Sequence, residues 1–142
     1  MALFEHVNWL AIGACVVAAM ALGFVWYGPL FGKAWMALMG WGDKSPEELK
    51  AMQAAAMPAY GVMAVGAAVM ALVLHAVLHA TAATTMGAAA TVAALLWLGF
   101  VATATLAQAM FSHENKQLWA LNQGYVLVQM VVFAVILTLL AA

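Results

Sequence analysis

The sequence predicts an all-α integral membrane protein built from four transmembrane helices. Three observations carry that prediction. Of 142 residues, 69% are apolar and 6% are charged. A soluble domain carries roughly a quarter charged residues, so this chain cannot coat its own surface with polar groups. Four apolar runs, at 7–28, 58–80, 87–110 and 118–141, reach the ~20 residues that a helix needs to cross a bilayer. Every charge except Glu5 falls in two short stretches between those runs, at 33–50 and 114–116. The connections are too short for a separate soluble domain, so residues 1–142 read as one four-helix transmembrane domain.

The first run holds the single Cys15, which has no partner for an internal disulfide. Ile12-Gly13-Ala14-Cys15 resembles a lipoprotein cleavage box. A signal peptide opens with positive residues, whereas this start carries Glu5 and His6, and the apolar run continues past Cys15. The first span is therefore read as retained. It ends at Trp26-Tyr27-Gly28-Pro29, where the aromatic rings suit the headgroup level and proline disfavours further helix.

Residues 30–41 are apolar and aromatic with one lysine. They are too short to span and are expected to lie in the interface. Gly40 and Gly42 end that segment. Ser45-Pro46-Glu47-Glu48 is a helix start with a capping box. That helix is expected to run on into the second span, kinked at Pro58. The turns at 81–86 and 112–117 are short, the first uncharged and the second polar.

Lysine placement sets the expected orientation. Lys33, Lys44 and Lys50 lie in the first connection and Lys116 in the third, and there is no arginine. The positive-inside rule puts those connections in the cytoplasm and both termini outside. The lipid bilayer is the principal partner. A net charge of −1 leaves no basic patch, so no nucleic-acid partner is expected.

Leu22-Gly23-Phe24-Val25 recurs as Leu98-Gly99-Phe100-Val101, each copy in an odd-numbered span and each followed by a connection with lysine and tryptophan. Two parallel-repeat helical hairpins about an axis along the membrane normal would produce this, as would chance among common apolar letters.

Two constellations are candidate sites. His75 and His79 are four apart and share a helix face, which Ala67 and Ala71 extend inward. Glu5 and His6 are expected at the same membrane level, with Met70 and Met86 near. Imidazole suits zinc, copper and haem iron, so His6, His75 and His79 with Glu5 or a methionine form a possible metal or haem site. The plainer reading is interfacial histidines bonded to carbonyls or headgroups, because no third ligand is fixed by local spacing.

The second constellation lies at the lysine-bearing end. Asn122, Tyr125 and Gln129 form one polar stripe on the fourth helix, with Gln123 beside it. Gln108, Trp26, Tyr27 and Tyr60 are expected at a similar depth. These side chains either line a small-ligand pocket or act as interhelical hydrogen bonds, since lipid offers amides no partner. Asn8, near the start of the first helix, has the same two readings.

No Asp, Glu, Lys or Arg lies deep in any span, so a proton-coupled carrier lacks its usual buried ionisable group. Ser112-His113-Glu114 has the letters of a triad, but adjacent residues in a short turn cannot form the relay. No catalytic group is identified, and the cofactor is left open.

The long motif Asn8-Trp9-Leu10-Ala11, Gly23, then Trp26-Tyr27-Gly28-Pro29-Leu30-Phe31-Gly32-Lys33-Ala34-Trp35-Met36 resembles the bacterial membrane family catalogued as domain of unknown function 1761. Trp97-Leu98-Gly99-Phe100-Val101 and Asn122-Gln123-Gly124-Tyr125 resemble its third and fourth spans. The resemblance covers nearly the whole chain and implies a four-span membrane protein. It implies no activity. It puts weight on Asn8, Trp26, Tyr27, Pro29, Asn122 and Tyr125 as positions that define the fold or a site, and it puts none on His75 or His79.

Small-residue lines such as Gly99, Thr103 and Ala107 favour close helix packing. Four helices seldom enclose a pathway alone, so a homo-oligomer is expected. Three functions stand open on the sequence. They are a homo-oligomeric binding or transport module for a small ligand, a metal or haem protein at the histidine cluster, and a structural or accessory subunit.

Overall fold

The structure, a computed structural model, describes residues 2–141. Four helical segments long and apolar enough to span a bilayer run Trp9–Leu30, Met57–Ala80, Met86–Phe111 and Lys116–Leu139. Each end lies within two residues of the sequence expectation. Among the described residues there is no strand.

Span 1 begins as α1 (Trp9–Val25), whose N-terminus is capped by Asn8 Oδ1 accepting from the Leu10 and Ala11 amides at 3.0 and 3.3 Å. Cys15 lies fully buried in the middle of α1. The helix then widens into a π turn over Trp26–Leu30. Pro29 has no amide hydrogen to donate, and the Phe31 amide reaches back five residues to the Trp26 carbonyl at 2.9 Å. Gly28 (φ −111°, ψ −106°) leaves helical geometry altogether, and the chain kinks there. A Cβ on Gly32 would sit 2.8 Å from the Tyr27 carbonyl oxygen, so the tight bend admits only glycine.

The interfacial segment folds as the short helix α2 (Gly32–Leu38). Trp35 packs its ring edge-on against Tyr27 and Trp41, with centroids 5.5 and 4.8 Å apart. Helix α3 (Pro46–Ala55) opens with the expected capping box. Ser45 Oγ accepts from the Glu48 amide, and Glu48 Oε2 accepts from the Ser45 amide, both at 3.2 Å. One expectation is corrected here. The α3 helix does not run on through a kink, but stops at Ala56, whose amide bonds back to the Met52 and Gln53 carbonyls. Span 2 is a new helix, α4 (Met57–Ala80), and Pro58 sits in its first turn, where a missing amide hydrogen costs nothing.

Span 3 comprises α5 (Met86–Leu96), a π-helical stretch over Trp97–Ala102, and α6 (Thr103–Phe111). Thr103 and Thr105 hydroxyls donate to the Gly99 and Val101 carbonyls, four residues back, at 2.7 and 2.6 Å. Such back-bonding bends helices. The repeated Leu-Gly-Phe-Val therefore adjoins the wide turn in span 1 and lies inside that of span 3. Span 4 is α7 (Lys116–Leu139), capped by Asn115.

Span 4 is the hub. It packs on spans 1, 2 and 3, while spans 1 and 2 also pack on each other. Span 3 leans almost wholly on span 4 and meets span 2 only weakly, so the two hairpins are not packed equivalently. The core is made of small side chains. Ala19, Ala71, Ala89, Ala93 and Ala134 are fully buried, with Cys15 and Phe133 as the largest fully buried groups. Small residues let backbones approach, which is how helices gain dispersion contact in lipid. The line Gly99, Thr103 and Ala107 is exposed instead. Span 3 turns the line Ala89, Ala93 and Ala109 inward, and positions two residues away from that line fall on the opposite side of the helix.

Candidate functional site

The histidine constellation is assembled from three spans at the end of the bundle remote from the lysines. Ala67 and Ala71 are buried, as the shared face requires, and His75 and His79 continue their line over the last two turns of α4. The two imidazoles lie near-parallel, with centroids 6.4 Å apart. The chain before α1 brings Glu5 and His6 opposite them, His6 in a left-handed backbone conformation (φ +57°). The end of α7 supplies Leu137, Thr138 and the adjoining Ala141. Two cavities result, of about 340 and 170 Å³, and both are lined by His75, His79, Leu137 and Ala141. The smaller adds Glu5, His6 and Asn8, and the larger adds Leu78, Thr84 and Thr138.

All four residues proposed for this end thus border one cavity. Among the described residues no group of three or more His, Cys, Asp or Glu is placed to hold a metal ion. Two parallel rings one helical turn apart stand side by side and do not converge. The distinctive group is His75 Nε2, which is buried and has no hydrogen-bond partner among the described residues. Leaving such an atom unsatisfied costs about 1–3 kcal/mol.

At the other end, the aromatic donors of the polar stripe bond between spans 1 and 4. Tyr27 Oη donates to Asn122 Oδ1 at 2.8 Å, and Trp26 Nε1 donates to the Leu121 carbonyl at 3.1 Å. Tyr125 Oη donates to the Ala19 carbonyl at 2.9 Å. Trp26, Tyr27 and Tyr125 also pack ring against ring, with Tyr125 centroids 6.2 Å from Trp26 and 5.4 Å from Tyr27. Gln129 is buried below them. Gln108 does not join this group. It is exposed, and Thr105, one turn earlier, faces span 4 instead and accepts from Trp119 Nε1 at 2.9 Å.

A family model described as Protein of unknown function (DUF1761) matches residues 10–138. The chain belongs to this family. No curated protein and no solved structure matches it. Within the DUF1761 match lie the whole aromatic and amide network and both histidines of α4, whereas Glu5, His6, Asn8 and Ala141 fall outside it. The DUF1761 aromatic motif of span 1 thus serves the joint between spans 1 and 4. Sequence reasoning missed the matching joint between spans 3 and 4, where Trp97 Nε1 donates to the Gln123 carbonyl at 2.9 Å. Its signal was its place at the head of the second Leu-Gly-Phe-Val copy. Leu137 and Thr138 carried no signal, because nothing in an all-apolar helix marks which residues end beside a cavity.

Proposed function

We propose that this DUF1761 protein binds a small ligand in the cavity between α1, α4 and α7, anchored on His75. The observation that carries this reading is the buried, unpartnered Nε2 of a residue that lines both cavities. A ligand atom bonded there would remove the desolvation penalty. The Trp26, Tyr27 and Tyr125 donors of the lysine-end network all bond to spans 1 or 4, which supports an interhelical role for Asn122 and Tyr125 over a pocket at that level. The lysine bias supports placing the histidine end outside a bacterial inner membrane. The outward line of Gly99, Thr103 and Ala107 supports a homo-oligomer.

The test is native mass spectrometry of protein released from membrane-derived nanodiscs, with wild type beside His75→Leu and Tyr125→Phe. A small-molecule adduct kept by Tyr125→Phe and lost by His75→Leu is expected. An adduct retained by His75→Leu, or none in wild type, overturns the reading and leaves a water or headgroup to satisfy the imidazole.

A further inference from the structure

We infer that the cavity takes an amphiphilic primary amine, bound as its ammonium ion; this rests on the ligand-binding reading above. Charge decides the class. Glu5 is the one Asp, Glu, Lys or Arg that borders either cavity, and all four lysines lie in the connections at the opposite end. Among the described residues an anionic headgroup would meet a carboxylate and neither lysine nor arginine. An ammonium ion meets the exposed Glu5 carboxylate, an attraction that solvent partly screens but that no other ligand charge would gain.

Hydrogen bonding narrows the class. A neutral imidazole keeps one acceptor nitrogen. His75 Nε2 has no partner and almost no accessible surface, so the ring turns toward the smaller cavity, which Glu5 also lines, before an ammonium N–H donates to it. A quaternary ammonium has no N–H to give. It is recognised by aromatic cages, and no Trp, Tyr or Phe lines either cavity among the described residues. A bare metal ion lacks the converging ligands it needs.

The walls supply the rest. Leu78, Leu137 and Ala83 give the larger cavity an apolar side. The cavities lie at the ends of α4 and α7, where a span reaches the headgroup level. An alkyl tail can therefore lie along the leucines into lipid while its amine stays at the Glu5–His75 level.

The experiment uses full-length protein in phosphatidylcholine nanodiscs, whose zwitterionic surface does not concentrate cations. Four probes share a ten-carbon chain: decylamine, decyltrimethylammonium, decanol and decanoate. The readout is the imidazole NMR signal of His75, assigned by its loss in His75→Leu. Decylamine should shift it at concentrations at least ten-fold lower than the other three, and Glu5→Gln should weaken that response about ten-fold. Glu5 is exposed and precedes α1, so this variant leaves the bundle intact. An equal response to decanol, decanoate or decyltrimethylammonium overturns the amine assignment and leaves the cavity as a ligand site. No response to decylamine also overturns it, and the adduct measurement above then decides the broader reading alone.

Discussion

Asn8 Nδ2 donates to the carbonyl of Leu140 at 2.7 Å, so one side chain joins the start of the first span to the end of the last. The same amide caps α1 through its oxygen. Asn8→Ala should lower stability by about 1 kcal/mol for the cap and by roughly 0.6 kcal/mol more for the interhelical bond. Asn8→Ser keeps a capping oxygen but is too short to reach Leu140, so it should show only the smaller part. Unfolding in mixed detergent micelles measures both.

The bond from Tyr27 Oη to Asn122 Oδ1 should register in a double-mutant cycle. Tyr27→Phe and Asn122→Leu are expected to couple by about 0.6 kcal/mol, the usual scale for such bonds in a membrane. A coupling of zero would mean that the two groups do not depend on each other and would reopen the lysine-end pocket.

Gly23 makes room for the Tyr125 hydroxyl. A Cβ at this position would lie 3.1 Å from Met63 Cε and 3.3 Å from Tyr125 Oη. The methionine can give way, but the hydroxyl is held by its bond to Ala19. Gly23→Ala should cost about 1 kcal/mol, the low end for overpacking. The penalty should shrink in a Tyr125→Phe background, where that oxygen is absent.

Three helices end by the same device. Gly40, Ala82 and His113 each adopt positive φ just beyond a helix. The following residue in each case (Trp41, Ala83, Glu114) donates its amide five residues back, at 2.8, 3.0 and 2.9 Å. Only the first uses glycine, and a side chain in that conformation costs roughly 1–2 kcal/mol. Ala82→Gly and His113→Gly should therefore each stabilise the protein by about 1 kcal/mol in the same unfolding assay.

Much of this was legible because its cause is local. Ser45 caps α3 through a residue three positions away, and His75 and His79 follow the buried Ala67 and Ala71 by helical period alone. The inward face of span 3 was not legible. In lipid a helix apolar on all sides has no wet face, so no pattern distinguishes the buried Ala89 from the exposed Ala107. For that reason the exposure of Gln108, expected at the depth of the stripe, was not legible either. The reach of Asn8 to Leu140 depends on the rotation of two helices far apart in sequence, which neither segment encodes by itself.

Because span 3 leans almost wholly on span 4, the bundle cannot close until the last of the four segments has left the ribosome. Until then, the first two helices can pair in the bilayer as a hairpin, but the third has scarcely any neighbour to hold it. A ribosome stalled before residue 116 would present the membrane with a half-built protein whose Trp97 lacks its carbonyl on span 4. Surveillance proteases that find loosely held helices would meet that intermediate first.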